Sequence, residues 1–251
     1  DIWVFTGLGR LLDGSRPRLT KILFTYLRFV YRNQKVIVLN TDDLLLVKEN
    51  LTSNAYGIPG EGYNFDVCKL FNPQISKGRR YAFVGRLLYS KGIVHVLKAF
   101  ASVSSTDDEL FLYGDFDFGN GDSLKQSTFD YYRKCSKGKV QHMGFVTDIS
   151  EELQKIDVVV SMSQREGLPF AILDAIASGC NLILSRVPGH NEFAGFLGVT
   201  FVENYEELLQ VMSIRNEDIR RLSYMDYQER LQLAKERFGI ENVITLIKLL
   251  L

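Results

Sequence analysis

The chain has 251 residues, 46% of them hydrophobic, with 30 basic and 30 acidic side chains. That length holds one large domain, or one domain and part of another, and zero net charge argues against a general nucleic-acid binder, so nucleic acid is not an expected partner. Three scattered cysteines (Cys68, Cys135, Cys180) lack metal-ligand spacing and point to reduced thiols in a cytoplasmic protein; no apolar run approaches the ~20 residues of a membrane span, and no signal peptide is visible.

The first residue is Asp1, and Ile2–Phe5 already reads as a buried strand, so the sequence reads as a segment of a longer chain. Thr6-Gly7-Leu8-Gly9-Arg10 is a Gly-rich turn, either structural or a weak phosphate loop. Pro17 to Asn33 predicts a helix, with Leu19, Ile22, Leu23, Tyr26 and Val30 at helical spacing. Arg10, Arg16, Arg18, Lys21, Arg28, Arg32 and Lys35 make this end basic. Two readings stand: an ordinary surface helix, or a basic amphipathic helix in peripheral contact with the inner face of a cell membrane. Lys35–Leu39 is a second strand, and Asp42 or Asp43 is expected to start a helix over Leu44–Asn50. Ala55–Asn64 reads as a strand and Gly-rich turn, and Phe71–Gly78 as a linker.

From Arg79 the pattern is regular. Short apolar runs at Tyr81–Val84, Leu110–Tyr113, Val140–Met143, Val158–Ser161, Leu182–Leu184 and Val199–Val202 predict strands. Helical patterns lie between them, at Ile93–Val103, Leu124–Lys137, Ile149–Ile156, Phe170–Ser178 and Tyr205–Met212. This alternation predicts an α/β fold, a Rossmann-like parallel sheet with helices on both faces, binding ligands at the carboxyl ends of its strands. Ile214–Leu251 is helical, broken at Phe238-Gly239.

Candidate site residues fall at those strand ends. Gly85-Arg86-Leu87-Leu88-Tyr89-Ser90-Lys91-Gly92 offers a glycine for close approach, a rigid guanidinium fork and a mobile ammonium before a helix N-terminus. The alternative is two solvated bases at a turn. Tyr113-Gly114-Asp115 and Gly144-Phe145-Val146 end the next two strands, and Phe145 could wall a flat base. Asp115-Phe116-Asp117 matches the acid-x-acid pattern of metal sites, against the expectation of no metal. In the stretch Arg165–Gly179, Gly167 permits a turn, Pro169 suits the first helical position and Gly179 suits the stop. Every residue from Phe170 to Ala177 is apolar except Asp174, so the helix reads as buried around one carboxylate. Glu166 stands at its mouth, beside an anion-favouring helix N-terminus. The plain alternative is a solvated loop acid and a helix acid paired with Lys or Arg.

Glu166-Gly167-Leu168-Pro169, the apolar helix, Ser178-Gly179-Cys180-Asn181-Leu182-Ile183-Leu184-Ser185 and Pro188-Gly189-His190-Asn191-Glu192 together resemble the nucleotide-sugar signature of retaining glycosyltransferase family 4, of the two-Rossmann GT-B fold. Its two acids stand eight positions apart, here Glu166 and Asp174, where the family usually has Glu. Thr6–Gly9, Asn40–Asp43 and Ile58–Gly62 resemble, in order, the second half of the family's N-terminal domain, closest to the branch building bacterial surface polysaccharides such as lipopolysaccharide.

The resemblance implies three parts: residues 1–72 as a partial N-terminal, acceptor-side domain, 73–235 as the nucleotide-sugar domain, and 236–251 as a helix crossing back. The first half of the N-terminal domain would be absent, and with it the family's glycine loop and sugar-side histidine. None of His95, His142 and His190 sits in a matching place. The resemblance also implies a metal-independent hexosyltransferase without cofactor, moving sugar from a nucleotide-sugar donor, UDP-sugar first, to a glycan or lipid-linked acceptor with retention. Glu166, Arg86 and Lys91 would be catalytic, the bases gripping the diphosphate and Glu166 bonding the donor sugar. Gly85, Gly114, Phe145, Gly167, Leu168 and Asp174 would bind donor, Asp174 at the ribose. Glu192 matches another family position but reads as structural. Two alternatives remain: a nucleotide-sugar-binding fragment without turnover, and a sugar-nucleotide epimerase, for which the extra acid–base groups are missing.

Overall fold

A computed structural model describes residues 2–6, 17–67, 77–214 and 222–250. Strands β1 (Ile2–Phe5), β2 (Lys35–Val38) and β3 (Ala55–Gly57) form a parallel sheet in that order, accompanied by helices α1 (Pro17–Tyr31) and α2 (Thr41–Asn50). A second parallel sheet contains β4 (Arg80–Val84), β5 (Glu109–Tyr113), β6 (Lys139–Gly144), β7 (Val158–Ser161), β8 (Asn181–Ser185) and β9 (Val199–Val202). Its connecting helices are α3 (Ile93–Val103), α4 (Gln126–Cys135), α5 (Ile149–Leu153), α6 (Phe170–Ala177) and α7 (Tyr205–Ser213); α8 (Tyr224–Phe238) and α9 (Ile240–Leu250) follow.

This is the expected α/β class. Successive strand residues point to opposite faces, so a sheet covered on both sides needs strands apolar at consecutive positions. β7 and β8 meet that need. Val159, Leu182 and Leu184 join Leu173, Ile176 and Phe238 on one face, while Val158, Val160 and Ile183 join Leu97, Phe100 and Leu208 on the other. The strand order is β6-β5-β4-β7-β8-β9. Connections run one way from β4 and then the other way from β7, and ligands of doubly wound sheets bind at the crevice this reversal opens.

The small sheet carries its own core, Tyr31, Val36, Val38, Val47, Leu51 and Ala55. Its other face, Ile37, Leu39 and Ile58, is covered by Val243, Ile247 and Leu250 of α9. The bend between α8 and α9 requires glycine, because a Cβ on Gly239 would lie 2.3 Å from the Lys235 carbonyl. Tyr63 is stitched to the bend: its N–H donates to the Phe238 carbonyl at 2.8 Å, and its carbonyl accepts the Ile240 N–H at 3.1 Å.

Several expectations are corrected. Ile2, Trp3 and Val4 are exposed, on a strand at one edge of its sheet. Asn40, not Asp42 or Asp43, caps α2, its side chain accepting the Asp43 N–H at 2.8 Å. The two acids lie within the first turn, where the helix dipole suits them. Leu124 is core rather than helix, so α4 starts at Gln126, and α5 ends at Leu153. Gly7–Arg10 of the first turn, Cys68, most of the linker and the acid–base run Asn216–Arg221 lie outside the described residues. Among the described residues, no helix is long and apolar enough to cross a membrane.

Candidate functional site

The turns after β4, β5 and β6 interlock. The Gly85 N–H donates to the Tyr113 carbonyl at 2.8 Å, and the Gly114 N–H to the Gly144 carbonyl at 2.8 Å. Gly114 has φ +133°, and a Cβ there would lie 2.1 Å from the Gly85 carbonyl oxygen, so only glycine lets the turns meet. A Cβ on Gly85 would meet nothing within 4 Å, which leaves its backbone open to a ligand. Gly85, Arg86, Gly114 and Phe145 thus line one cleft of about 630 Å³. The Phe145 ring is 76% exposed and offers an unpartnered apolar face at that cleft.

Arg86 is not a free base. Its guanidinium donates to Asp117 at 3.0 Å. Asp117, one acid of the acid-x-acid pattern, is engaged with a cation, and among the described residues no group of three or more His, Cys, Asp or Glu side chains is placed to hold a metal ion. The loop from Asp115 to Ser123 fixes the Gly85–Gly92 turn through Leu87 N–H to the Asp115 carbonyl (3.1 Å), Tyr89 N–H to the Asp122 carbonyl (2.9 Å) and Ser90 Oγ to the Asp122 carboxylate.

Lys91 ends a 3-10 turn, and Gly92 (φ +72°) follows it. A Cβ on Gly92 would lie 2.1 Å from the Met162 carbonyl, so the loop after β7 packs on this turn. That contact brings Lys91 Nζ within 2.7 and 2.6 Å of the two Glu166 oxygens. Ser163 Oγ donates to Glu166 Oε1 at 2.6 Å. The Glu166 side chain is only 12% exposed, so it is not a solvated loop acid.

Gly167 and Leu168 are met by the first unit. Asn40 Nδ2 donates to the Gly167 carbonyl at 3.0 Å, and a Cβ on Gly167 would lie 2.3 Å from the Thr6 carbonyl. Gly60 (φ +77°) packs on Leu168, whose Cδ2 would lie 2.2 Å from an added Cβ. Arg165 bonds the buried Asp43 carboxylate; burial lowers the Arg165 pKa, against the raising effect of Asp42. Glu192 accepts from the Thr41 N–H at 2.6 Å and from Arg237 at 3.2 Å, a structural tie between units.

Pro169 precedes α6 as its extended N-cap rather than occupying the first helical position, and Gly179 (φ +80°) follows its end. The partner of Asp174 is neither Lys nor Arg. The Tyr63 hydroxyl donates to it. Burial raises the Asp174 pKa, the Tyr63 bond opposes that rise, and Asp148 adds to it.

His190, matched to no expected position, lies fully buried behind the Glu166 loop. Its Nδ1 is 3.0 Å from the Ser185 carbonyl, which can only accept, so Nδ1 carries the proton and Nε2 accepts from Ser161 Oγ at 3.3 Å. Burial pushes its pKa below the ordinary value; the field of Glu166 and the backbone bond to Ser185 oppose that, while Lys91 adds to it. Sequence reasoning missed Ser163 and Tyr63, and gave Asp117 and His190 no role beyond the acid-x-acid pattern and the Pro188–Glu192 stretch. Ser163 carried a usable signal, a hydroxyl three positions before Glu166 at a strand end. Tyr63 carried none, being 111 residues from Asp174.

A glycine-turned cleft at the carboxyl ends of β4, β5 and β6, beside the strand at which the sheet order reverses, defines a doubly wound α/β protein with a crevice where such folds bind ligands. Residues 78–213 match the sequence profile described as Glycosyl transferases group 1, and the chain belongs to that family. An Escherichia coli protein named UDP-Gal:alpha-D-GlcNAc-diphosphoundecaprenol alpha-1,3-galactosyltransferase is 26% identical over 218 residues, covering 77% of this chain. The chain spans about half of that protein's length, 55%. Among solved structures, Anabaena HepE in complex with UDP-glucose matches with a TM-score of 0.79 at 16% identity, over 98% of this chain and 70% of that one. WaaG, a glycosyltransferase involved in lipopolysaccharide biosynthesis, matches with a TM-score of 0.74 at 16% identity, over 100% and 74%. These likenesses show the GT-B fold.

Proposed function

We propose that this chain is the donor-holding part of a retaining, metal-independent hexosyltransferase that moves sugar from a UDP-sugar to a glycan or lipid-linked acceptor in surface polysaccharide synthesis. The observation that carries the reading is the placement of Gly85, Arg86, Gly114 and Phe145 around one cleft, with the Lys91–Glu166 pair at the adjoining strand end. The E. coli relative, named for a UDP-sugar donor and a diphosphoundecaprenol acceptor, supports the donor and acceptor classes.

Breaking the sugar–phosphate bond leaves negative charge on the departing nucleoside diphosphate. Fixed cations and N–H groups in a site of low dielectric stabilise such charge most. Arg86, Lys91 and the N-terminus of α6 supply them. Phe145 walls the base, Asp174 meets the ribose, the Gly167 and Leu168 backbone N–H groups meet the sugar and phosphate, and Glu166 bonds hexose hydroxyls. The acceptor hydroxyl attacks on the leaving-group face and gives its proton to the phosphate oxygen, so the reaction needs no protein nucleophile.

Titration of the chain with UDP and UDP-hexoses, beside a turnover assay with a lipid-linked acceptor, tests this reading. Absence of UDP binding, or UDP bound away from the cleft, overturns it. The second reading is donor binding without turnover, and UDP binding with no turnover in the same pair of measurements would select it. Peripheral membrane contact through α1 belongs to the same proposal. Ile22, Tyr26 and Phe29 are each more than 60% exposed on one helix face beside Arg28 and Arg32, and vesicles of anionic lipid should capture the chain where neutral vesicles do not.

A further inference from the structure

Glu166 is held by more than Lys91. Its Oε1 accepts from Ser163 Oγ at 2.6 Å, and Ser163 is itself 2% exposed. Ser163 is fixed in turn, since its carbonyl accepts from Ser185 Oγ at 2.6 Å. His190 joins the ends of β7 and β8, accepting from Ser161 and donating to the Ser185 carbonyl. The segment leading into His190 supports the Glu166 loop from behind. The Glu166 N–H donates to the Pro188 carbonyl at 3.1 Å, and a Cβ on Gly189 (φ +83°) would lie 2.6 Å from the carbonyls of both Glu166 and Gly167.

The Lys91 and Ser163 ties differ in kind. A diphosphate in the crevice competes for the Lys91 ammonium, which carries one charge and three donors. The Ser163 hydroxyl is neutral and faces no such competition. We infer that Ser163, backed by the buried His190, is the positioning residue for Glu166, anchoring Oε1 so that Oε2 meets a hexose hydroxyl once Lys91 turns to the diphosphate. This rests on the transferase reading and adds to it the groups that set the orientation of its sugar-binding carboxylate. The role is one of support from behind, since both side chains are buried and neither lines the cleft. Small errors in such placement are costly in rate, of the order of a hundredfold for ~1 Å.

The test uses the full chain with Ser163→Ala, Ser163→Thr and His190→Gln. Ser163→Ala should lower kcat for UDP-hexose about 10-fold. It should leave UDP affinity within about twofold, since UDP has no hexose for Glu166 to meet. Ser163→Thr should restore kcat. His190→Gln, or Ser161→Ala should that variant not fold, should give the same split at smaller amplitude. Unchanged kcat in Ser163→Ala, a parallel loss of UDP affinity, or no rescue by threonine overturns the inference. If the wild-type chain binds no UDP, the transferase reading alone fails. The ligand-free crystal structure of Ser163→Ala then decides the positioning claim: a turned Glu166 carboxylate supports it, and an unmoved one overturns it.

Discussion

Replacing Lys91 by alanine separates a lost charge from a lost fold. Lys91 Nζ lies 2.7 and 2.6 Å from the Glu166 oxygens, with the two side chains 30% and 12% exposed. Removing one partner of a fully buried pair costs about 3–5 kcal/mol, and an exposed pair is worth about 0–1 kcal/mol. This pair sits between, so the expected stability loss is about 1–2 kcal/mol, with Glu166 keeping its bond from Ser163. The effect on donor is separate. One charge-assisted hydrogen bond to the diphosphate is worth about 1.5–3 kcal/mol, and each ~1.4 kcal/mol is tenfold, so UDP affinity should fall about 10- to 100-fold. Calorimetric titration with UDP and with uridine makes the comparison. Lys91→Ala should weaken UDP and leave uridine unchanged. Equal UDP affinity in variant and wild type would refute the diphosphate assignment, and a parallel loss of uridine binding would mean a collapsed cleft instead.

The remaining expectations concern the cleft, the half-buried Asp174 and the buried His190. Arg86→Ala should lower donor turnover about 10-fold in steady-state kinetics, the low end of the charge-assisted range, because its side chain is 63% exposed; wild-type turnover would remove Arg86 from the diphosphate. Asp174→Glu should fold and keep donor affinity, whereas Tyr63→Phe should cost about 1–3 kcal/mol in urea unfolding by leaving a half-buried carboxyl without its donor. Should Asp174→Glu fail to fold, Asp174 is a packing residue and not a ribose contact. The native chain resists protonating His190, whose pKa lies below the ordinary 6.5, while the unfolded chain does not. Stability from this group is therefore complete above that value and falls as pH drops through it toward the folded pKa. Unfolding midpoints at about pH 7.5 and about pH 5.5 should show a decline that His190→Gln reduces; an identical decline in both would assign it to other groups.

How much was legible follows from the range of the forces involved. The strands themselves, the cover on both sheet faces and the three glycine turns are local or periodic properties, whereas the order of the strands in the sheet is not. Gly114 and Gly92 are required by carbonyls across the turns, and a glycine at a strand end announces such an approach. Boundaries were less legible where tertiary packing outweighed propensity. Leu124 fits a helical period, yet it is drawn into the core formed by Phe129, Val140 and their neighbours. Pro169 suits a first helical turn, yet its ψ of 113° leaves it extended, and α6 begins one residue later.

The chemistry of the acids was the least legible part, because their partners come from another unit of the fold. Asp174 reads as a lone carboxylate needing a cation, and desolvation makes that a sound expectation. The structure answers with Tyr63, held in place by its pairing to the α8–α9 bend. Arg165 is answered by Asp43, Gly167 by Asn40, Leu168 by Gly60 and Glu192 by Thr41. Each of these site-loop residues is fixed by one from the first 63 positions. No spacing rule spans such separations, since loop closure sets a cost but no register. The loop carrying Glu166 is therefore shaped jointly by both units, and an isolated second unit would lose at least three hydrogen-bonded partners of Arg165, Gly167 and Asp174 at once. At about 1 kcal/mol for each neutral bond and more for the Arg165–Asp43 pair, that loss is large enough to disorder the loop carrying Glu166. Donor affinity should therefore depend on the integrity of the small sheet, although none of its residues lines the cleft.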